Sequence, residues 1–184
     1  RLQTISWSHT WLTFVLFSLG MGSFLYHTFA NLWSMFADII PIYIFQLSMI
    51  IIYGSAIGRL NKKSPVLFGF LFLVGFILLT LPFSGLPREL LNGSLAYTSA
   101  FLTLLFIGIY QAKFISSERY TLLLAAGLFL VALLFRTIDM EVCGRFELGT
   151  HFLWHAFNGI VLYLAIRAYV GVLVHEENIS SETR

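Results

Sequence analysis

Residues 11–30 read WLTFVLFSLGMGSFLYHTFA, twenty residues without one Asp, Glu, Lys or Arg. As a helix rising about 1.5 Å per residue, such a run is about 30 Å long, the thickness of a bilayer's hydrocarbon core. The chain then enters a second apolar run, Leu32 to Gly58, broken only by Asp38 and closed by the basic cluster Arg59, Lys62 and Lys63. A full-length run followed almost at once by another is no cleaved leader; it predicts a pair of membrane-crossing helices.

Four more runs follow, near 65–81, 95–112, 120–135 and 148–174. Between them, Pro82 to Ser94 reads as a connecting loop holding Pro87, Arg88, Glu89 and Gly93, Lys113 to Arg119 as a polar knot, and the stretch holding Arg136, Asp139, Glu141, Arg145 and Glu147 as a polar loop. Composition agrees, since charged residues make up 11% of the 184 and hydrophobic ones 58%, whereas soluble domains carry about 25% charge. The reading is an all-α polytopic membrane helix bundle with six visible spans, a single domain over residues 1–184. A net charge of +2 with scattered cations excludes a nucleic-acid footprint. The lone Cys143 excludes an intrachain disulfide framework and a Cys-rich zinc module. The chain opens on Arg1 rather than Met, and a further N-terminal helix is expected to precede it.

Short-loop cations set orientation. Arg1, Arg59, Lys62, Lys63, Lys113, Arg119, Arg167 and Arg184 fall on one side, and Arg88, Arg136 and Arg145 on the other. Eight against three places both visible termini in the cytoplasm, with Arg167 expected to reach the cytoplasmic headgroups along its flexible stem. Gly20, Gly22, Gly69 and Gly75 are expected to permit close helix approach rather than to bind phosphate. Asn92-Gly93-Ser94 forms a glycosylation sequon on the outer side.

Asp38 is the one carboxylate inside these spans, and an ionisable group there is a functional position by default. Following the spans through the bilayer places His27 near the outer end of the first, Asp38 just inside the same boundary on the second, and His151 and His155 in the opening turns of the sixth. A single His or Ser in a membrane helix usually serves helix–helix hydrogen bonding. Three His and one Asp at one depth point instead to a metal. His151 and His155 stand four residues apart, as do Ser23 and His27, and residues so spaced share a helix face. Two His on one turn with a third from another helix make the three-nitrogen set of a catalytic zinc, whose fourth position holds a water with its pKa lowered to about 7. Asp38 is then placed to hold or deprotonate that water, Ser23 to donate to a developing oxyanion, and Pro41 to kink the adjoining wall. Haem fits less well, because two His one turn apart cannot reach opposite faces of one ring.

Ser23-x-x-x-His27, then Asp38, then His151-Phe-Leu-Trp-His155 together resemble the alkaline ceramidases and their bacterial relatives, in the CREST superfamily of membrane hydrolases that includes the adiponectin-receptor group. The stretch from Phe135 to Cys143 and Gly149-Thr-His151-Phe-Leu-Trp-His155-Ala-Phe-Asn158 look similar to the bacterial members, and the resemblance covers nearly the whole chain. It implies seven helices around a Zn2+ held by His27, His151 and His155, with Asp38 and Ser23 catalytic. Trp154 matches a family position and is placed, with Tyr26, as a lining residue; Asp139 and Cys143 match the loop pattern without an assigned role. The implied substrate is ceramide or another N-acyl membrane lipid, cleaved to fatty acid and long-chain base in the extracytoplasmic leaflet. The family's first helix, and the acidic calcium-binding segment of its animal members, have no counterpart here. The reading from a different class is a receptor-like or scaffold membrane protein with a structural zinc, told apart by a closed fourth position; a redox or proton-relay protein would show haem colour.

Overall fold

A computed structural model describes residues 7–87 and 90–182. Arg1, Arg88 and Arg184, three of the cations counted for orientation, lie outside the described residues, as does Glu89. The described residues form six α-helices: α1 (Trp7–Phe29), α2 (Leu32–Leu60), α3 (Pro65–Thr80), α4 (Thr98–Phe114), α5 (Thr121–Cys143) and α6 (His151–Glu182). No strand occurs among the described residues. With short flanking 3-10 turns, all six are long and apolar enough to cross a membrane. Large hydrophobic side chains stand outward along them, including Phe14, Phe17, Leu67, Phe70, Leu124 and Tyr163, as lipid-facing surface requires. The chain is an integral, multi-pass, all-α membrane protein, and its contacts divide it into two compact units, residues 1–73 and 74–184.

In the first unit α1 turns into α2 through Ala30, held at φ 47°, and Asn31. Asn31 caps α2 by a reciprocal pair: its Oδ1 accepts from the Ser34 N–H at 3.2 Å while the Ser34 Oγ accepts from the Asn31 N–H at 3.1 Å. Two N–H groups that lipid could not satisfy are thereby paired. Higher up, Trp11 Nε1 donates to Ser48 Oγ at 2.9 Å. The helices meet most tightly at Gly22, where a Cβ would overlap the Ala37 carbonyl oxygen and lie 3.0 Å from the Asp38 nitrogen. Gly54 and Gly58 of α2 likewise admit Phe72 and Phe68 of α3, and Gly69 lies under Ser55. Gly20 and Gly75 do not share this role, because nothing lies within 4 Å of where their Cβ atoms would be; equivalent glycines in sequence can face a neighbour or open space. Helix α2 runs unbroken through Pro41.

In the second unit α5 is the central helix, packing on α4 and α6. Ala125 and Ala132, one heptad apart and both fully buried, let it approach a core of Phe129, Trp154, Val161 and Leu164. Gln111 is fully buried at one end, where its Nε2 donates to the Glu118 carbonyl at 3.0 Å and the Ala168 carbonyl at 3.3 Å, joining the α4–α5 turn to α6. Arg167 does not simply extend toward headgroups; its guanidinium pairs with Glu118 at 2.9 Å.

The polar stretch after Phe135 continues as helix to Cys143, because its polar side chains find partners on neighbouring elements as well as on the helix. Thr137 Oγ1 shares a 2.8 Å hydrogen bond with Ser94 and lies 2.8 Å from the Leu133 carbonyl, to which it can donate. The segment Leu90–Tyr97, read as loop and helix start, is a 3-10 stretch kinked where Leu91, Asn92 and Gly93 take positive φ. The Asn92 amide nitrogen of the sequon donates to the Arg136 carbonyl at 2.8 Å, and Ser94 is buried, so glycosylation there requires this packing to open.

Two outcomes follow for stability in detergent. Gly22→Ala lowers it by about 1–3 kcal/mol through overpacking, whereas Gly20→Ala leaves it equal or raises it; thermal melts followed by circular dichroism distinguish them. The Glu118 carboxyl is held below its ordinary pKa of 4.5 first by the Thr121 hydroxyl, at 2.6 Å, and further by Arg167. A depressed carboxyl stabilises the fold in full above pH 4.5, and that contribution is lost as pH falls through the lower folded value. Acid titration of the melting temperature therefore shows a shallower loss in Glu118→Gln than in the parent.

Candidate metal centre

The first unit holds Ser23 and His27, one turn apart on α1, and Asp38 on α2. The Gly22 crossing brings the Asp38 backbone against the turn of α1 that carries Ser23, so a carboxylate and a hydroxyl belong to one tight helix pair. Ser23, Tyr26 and Asp38 are half-buried and His27 is exposed. The Tyr26 and His27 rings lie 5.7 Å apart between centroids.

The second unit holds His151 and His155. Their rings lie 4.8 Å apart at 76°, on adjacent turns of α6, and both are half-buried. Helix α6 starts at His151 because Asp139, projecting from the last turns of α5, caps it. The Asp139 Oδ1 accepts from the Thr150 N–H at 2.6 Å and the His151 N–H at 2.8 Å. A carboxylate also suits the positive end of the α6 dipole. Its Oδ2 lies 3.9 Å from His151 Nδ1, too far for a hydrogen bond. The Thr150 hydroxyl donates to the Phe135 carbonyl at 2.6 Å and fastens the same corner to α5. Gly149 completes the entry at φ +58°; a Cβ there would run into Asp139 Oδ1 and lie 2.8 Å from Cys143 Sγ.

Asp139 and Gly149 are thus structural residues of the His pair. Their one trace in the sequence is a Gly just before the helix; Thr150 would be the obvious cap from sequence, but its hydroxyl is turned to the Phe135 carbonyl and the cap passes to Asp139. Trp154 is buried at 6% exposure, its ring 4.9 Å from Tyr97 and 5.9 Å from Phe129. Two imidazoles at i and i+4, one seated by a carboxylate-capped turn, are a donor set that fits zinc.

Comparisons with protein-family models, curated proteins and solved structures find no match to the chain. Fold and composition define a polytopic helical membrane protein.

Replacing the cap tests the corner directly. Asp139→Ala costs about 1 kcal/mol in thermal stability, within the span usual for lost caps, while Asp139→Asn, which keeps an acceptor oxygen, costs less. Gly149→Ala destabilises through strain at positive φ as well as the clash, and melts in detergent rank the three.

Proposed function

We propose that the protein is a zinc-dependent hydrolase of lipid amides, ceramidase-like in its chemistry, with His27, His151 and His155, the set that the sequence pattern and the resemblance imply, as its ligands. The observation that carries the reading is the His151–His155 pair on adjacent half-buried turns, its helix start fixed by Asp139. Support also comes from Ser23, His27 and Asp38, which the sequence places at the same depth as that pair, near the bilayer boundary. The resemblance to alkaline ceramidases adds the substrate class, an N-acyl lipid such as ceramide, and the seven-helix frame.

Zinc, when bound, supplies Lewis acidity toward the amide carbonyl and lowers the pKa of water toward neutrality. The chain's own residues do the rest. Asp38 takes the proton of the attacking water and passes it to the leaving amine, so that one carboxylate serves both halves of the reaction. Ser23 donates a hydrogen bond to the oxyanion that develops as the carbonyl is attacked. Tyr26 lines the approach, and Trp154, buried on Tyr97 and Phe129, backs the turn that carries His151 and His155. Water adds across the amide: the C–N bond breaks, a C–O bond forms, and the products are a fatty acid and a long-chain amine. The apolar lipid-facing helices let such a substrate arrive sideways from the bilayer. The cation count places this chemistry in the extracytoplasmic leaflet, with the visible termini in the cytoplasm.

Purified protein incubated with a panel of lipid amides releases fatty acid, and a chelator stops the release until zinc is restored. His151→Ala loses most of its zinc by elemental analysis. Asp38→Ala keeps much of its metal and loses turnover by at least about a hundredfold, in the range expected for a general base; full activity in that variant removes Asp38 from the mechanism. Metal retained in the absence of turnover on every amide identifies a structural zinc in a receptor-like or scaffold protein.

A further inference from the structure

Arg136 is a cation inside the membrane-crossing length of α5, which spans Thr121–Cys143. A guanidinium in that position demands compensation, and an ionisable group retained there marks a functional position by default. Its compensation within the second unit is unusual. The guanidinium carbon lies 5.3 Å from the Tyr97 ring centroid and 5.4 Å from that of Trp154. Those two rings are themselves 4.9 Å apart and belong to the buried aromatic core around Phe129.

Aromatic faces stabilise positive charge, but they accept none of the five N–H donors in the way a carboxylate does. Among the described residues no carboxylate pairs with Arg136. Its Nε is buried and has no hydrogen-bond partner. The backbone around it is, by contrast, fully engaged. Asn92 donates to its carbonyl at 2.8 Å and the next residue, Thr137, bonds Ser94 at 2.8 Å, so the side chain is held on a stiff platform.

The location connects this cation to the His pair. Asp139, one turn further along α5, accepts from the His151 N–H, and Trp154, one of the two rings under the guanidinium, lies on the turn of α6 between His151 and His155. A half-buried planar guanidinium, charge-stabilised on two rings and without a carboxylate among the described residues, matches an acceptor with two oxygens on one centre.

We propose that Arg136 binds the oxyanion of an amphiphile, a carboxylate or a phosphate, beside His151 and His155. The inference rests on the proposed function only in taking that oxyanion to belong to a substrate or product of the His site. It narrows the substrate class to N-acyl lipids with an acidic headgroup, or it identifies the resting place of the released fatty acid. A neutral amide such as ceramide lacks the group that this side chain would recognise.

The test measures binding rather than turnover. Full-length protein in a neutral maltoside detergent, stripped of metal by chelator, is titrated with dodecyl phosphate, dodecanoate, 1-dodecylglycerol and inorganic phosphate, and binding is read from thermal stability and tryptophan fluorescence. Dodecyl phosphate and dodecanoate bind at least tenfold more tightly than 1-dodecylglycerol. Arg136→Gln abolishes that preference, and Arg136→Lys, which keeps the charge and loses the fork, reduces it. Saturation by inorganic phosphate at the same concentration as dodecyl phosphate assigns the site to a free anion; a large advantage for the dodecyl compounds assigns it to a lipid. Equal binding of anionic and neutral amphiphiles by the parent protein overturns the proposal, as does a preference that survives in Arg136→Gln. Should Arg136→Gln not fold, an unchanged preference in Arg136→Lys overturns it. Anion binding without hydrolysis of any amide leaves this inference standing and removes the hydrolase reading, whereas hydrolysis without anion preference does the reverse.

Discussion

Hydrocarbon offers no hydrogen bond, and this one constraint shapes every polar group along the six helices. Backbone groups are satisfied within helices, and hydroxyls find the carbonyl one turn back: Ser18 donates to Phe14, Thr28 to Phe24, Thr80 to Phe76 and Thr103 to Ser99. Helix starts are harder, because their first N–H groups have no partner in the helix itself. The Asn31–Ser34 box solves this for α2 and the Asp139 carboxylate for α6. The second solution is the consequential one, because the N–H that Asp139 receives belongs to His151. Satisfying a helix end and seating a candidate metal ligand are here the same interaction.

Close helix packing follows from the same solvent. Lipid tails are as apolar as the side chains they touch, so helices gain little from burying leucine and more from backbones that approach closely. Gly22 against Ala37, Gly54 and Gly58 against α3, and Ala125 and Ala132 in the core of the second unit are the places where this happens. The Gly22 contact also sets the position of Asp38 relative to Ser23. A small residue with no chemistry of its own therefore fixes the geometry of two that have it.

Charges obey the constraint by being matched. Glu118 and Arg167 answer each other at one end of the second unit, and Gln111 ties the same turn to α6. Arg136 is answered by aromatic rings alone among the described residues, with no carboxylate beside it. That contrast separates a cation that holds the fold from one whose surroundings suit a ligand.

The sequence by itself determined the class of the protein and the run of its helices, because twenty uncharged residues in a row have one stable solution in lipid and none as a soluble surface. It also singled out Ser23, His27, Asp38, His151 and His155, since polar residues stand out where apolar ones are the rule. Helix ends were less legible. The hydropathy of α5 fades at Phe135, yet the helix runs to Cys143 because Arg136, Thr137 and Asp139 find partners on Tyr97, Trp154, Ser94 and the start of α6. Which glycines face a neighbour, Gly22 and Gly69 but not Gly20 or Gly75, could not be read from spacing, since each helix's rotation is set by the whole packed surface. The role of Asp139 as the cap of α6 in place of Thr150, and the pairing of Arg167 with Glu118, were decided by tertiary structure: each joins residues of different elements, and their proximity exists only once the helices have packed.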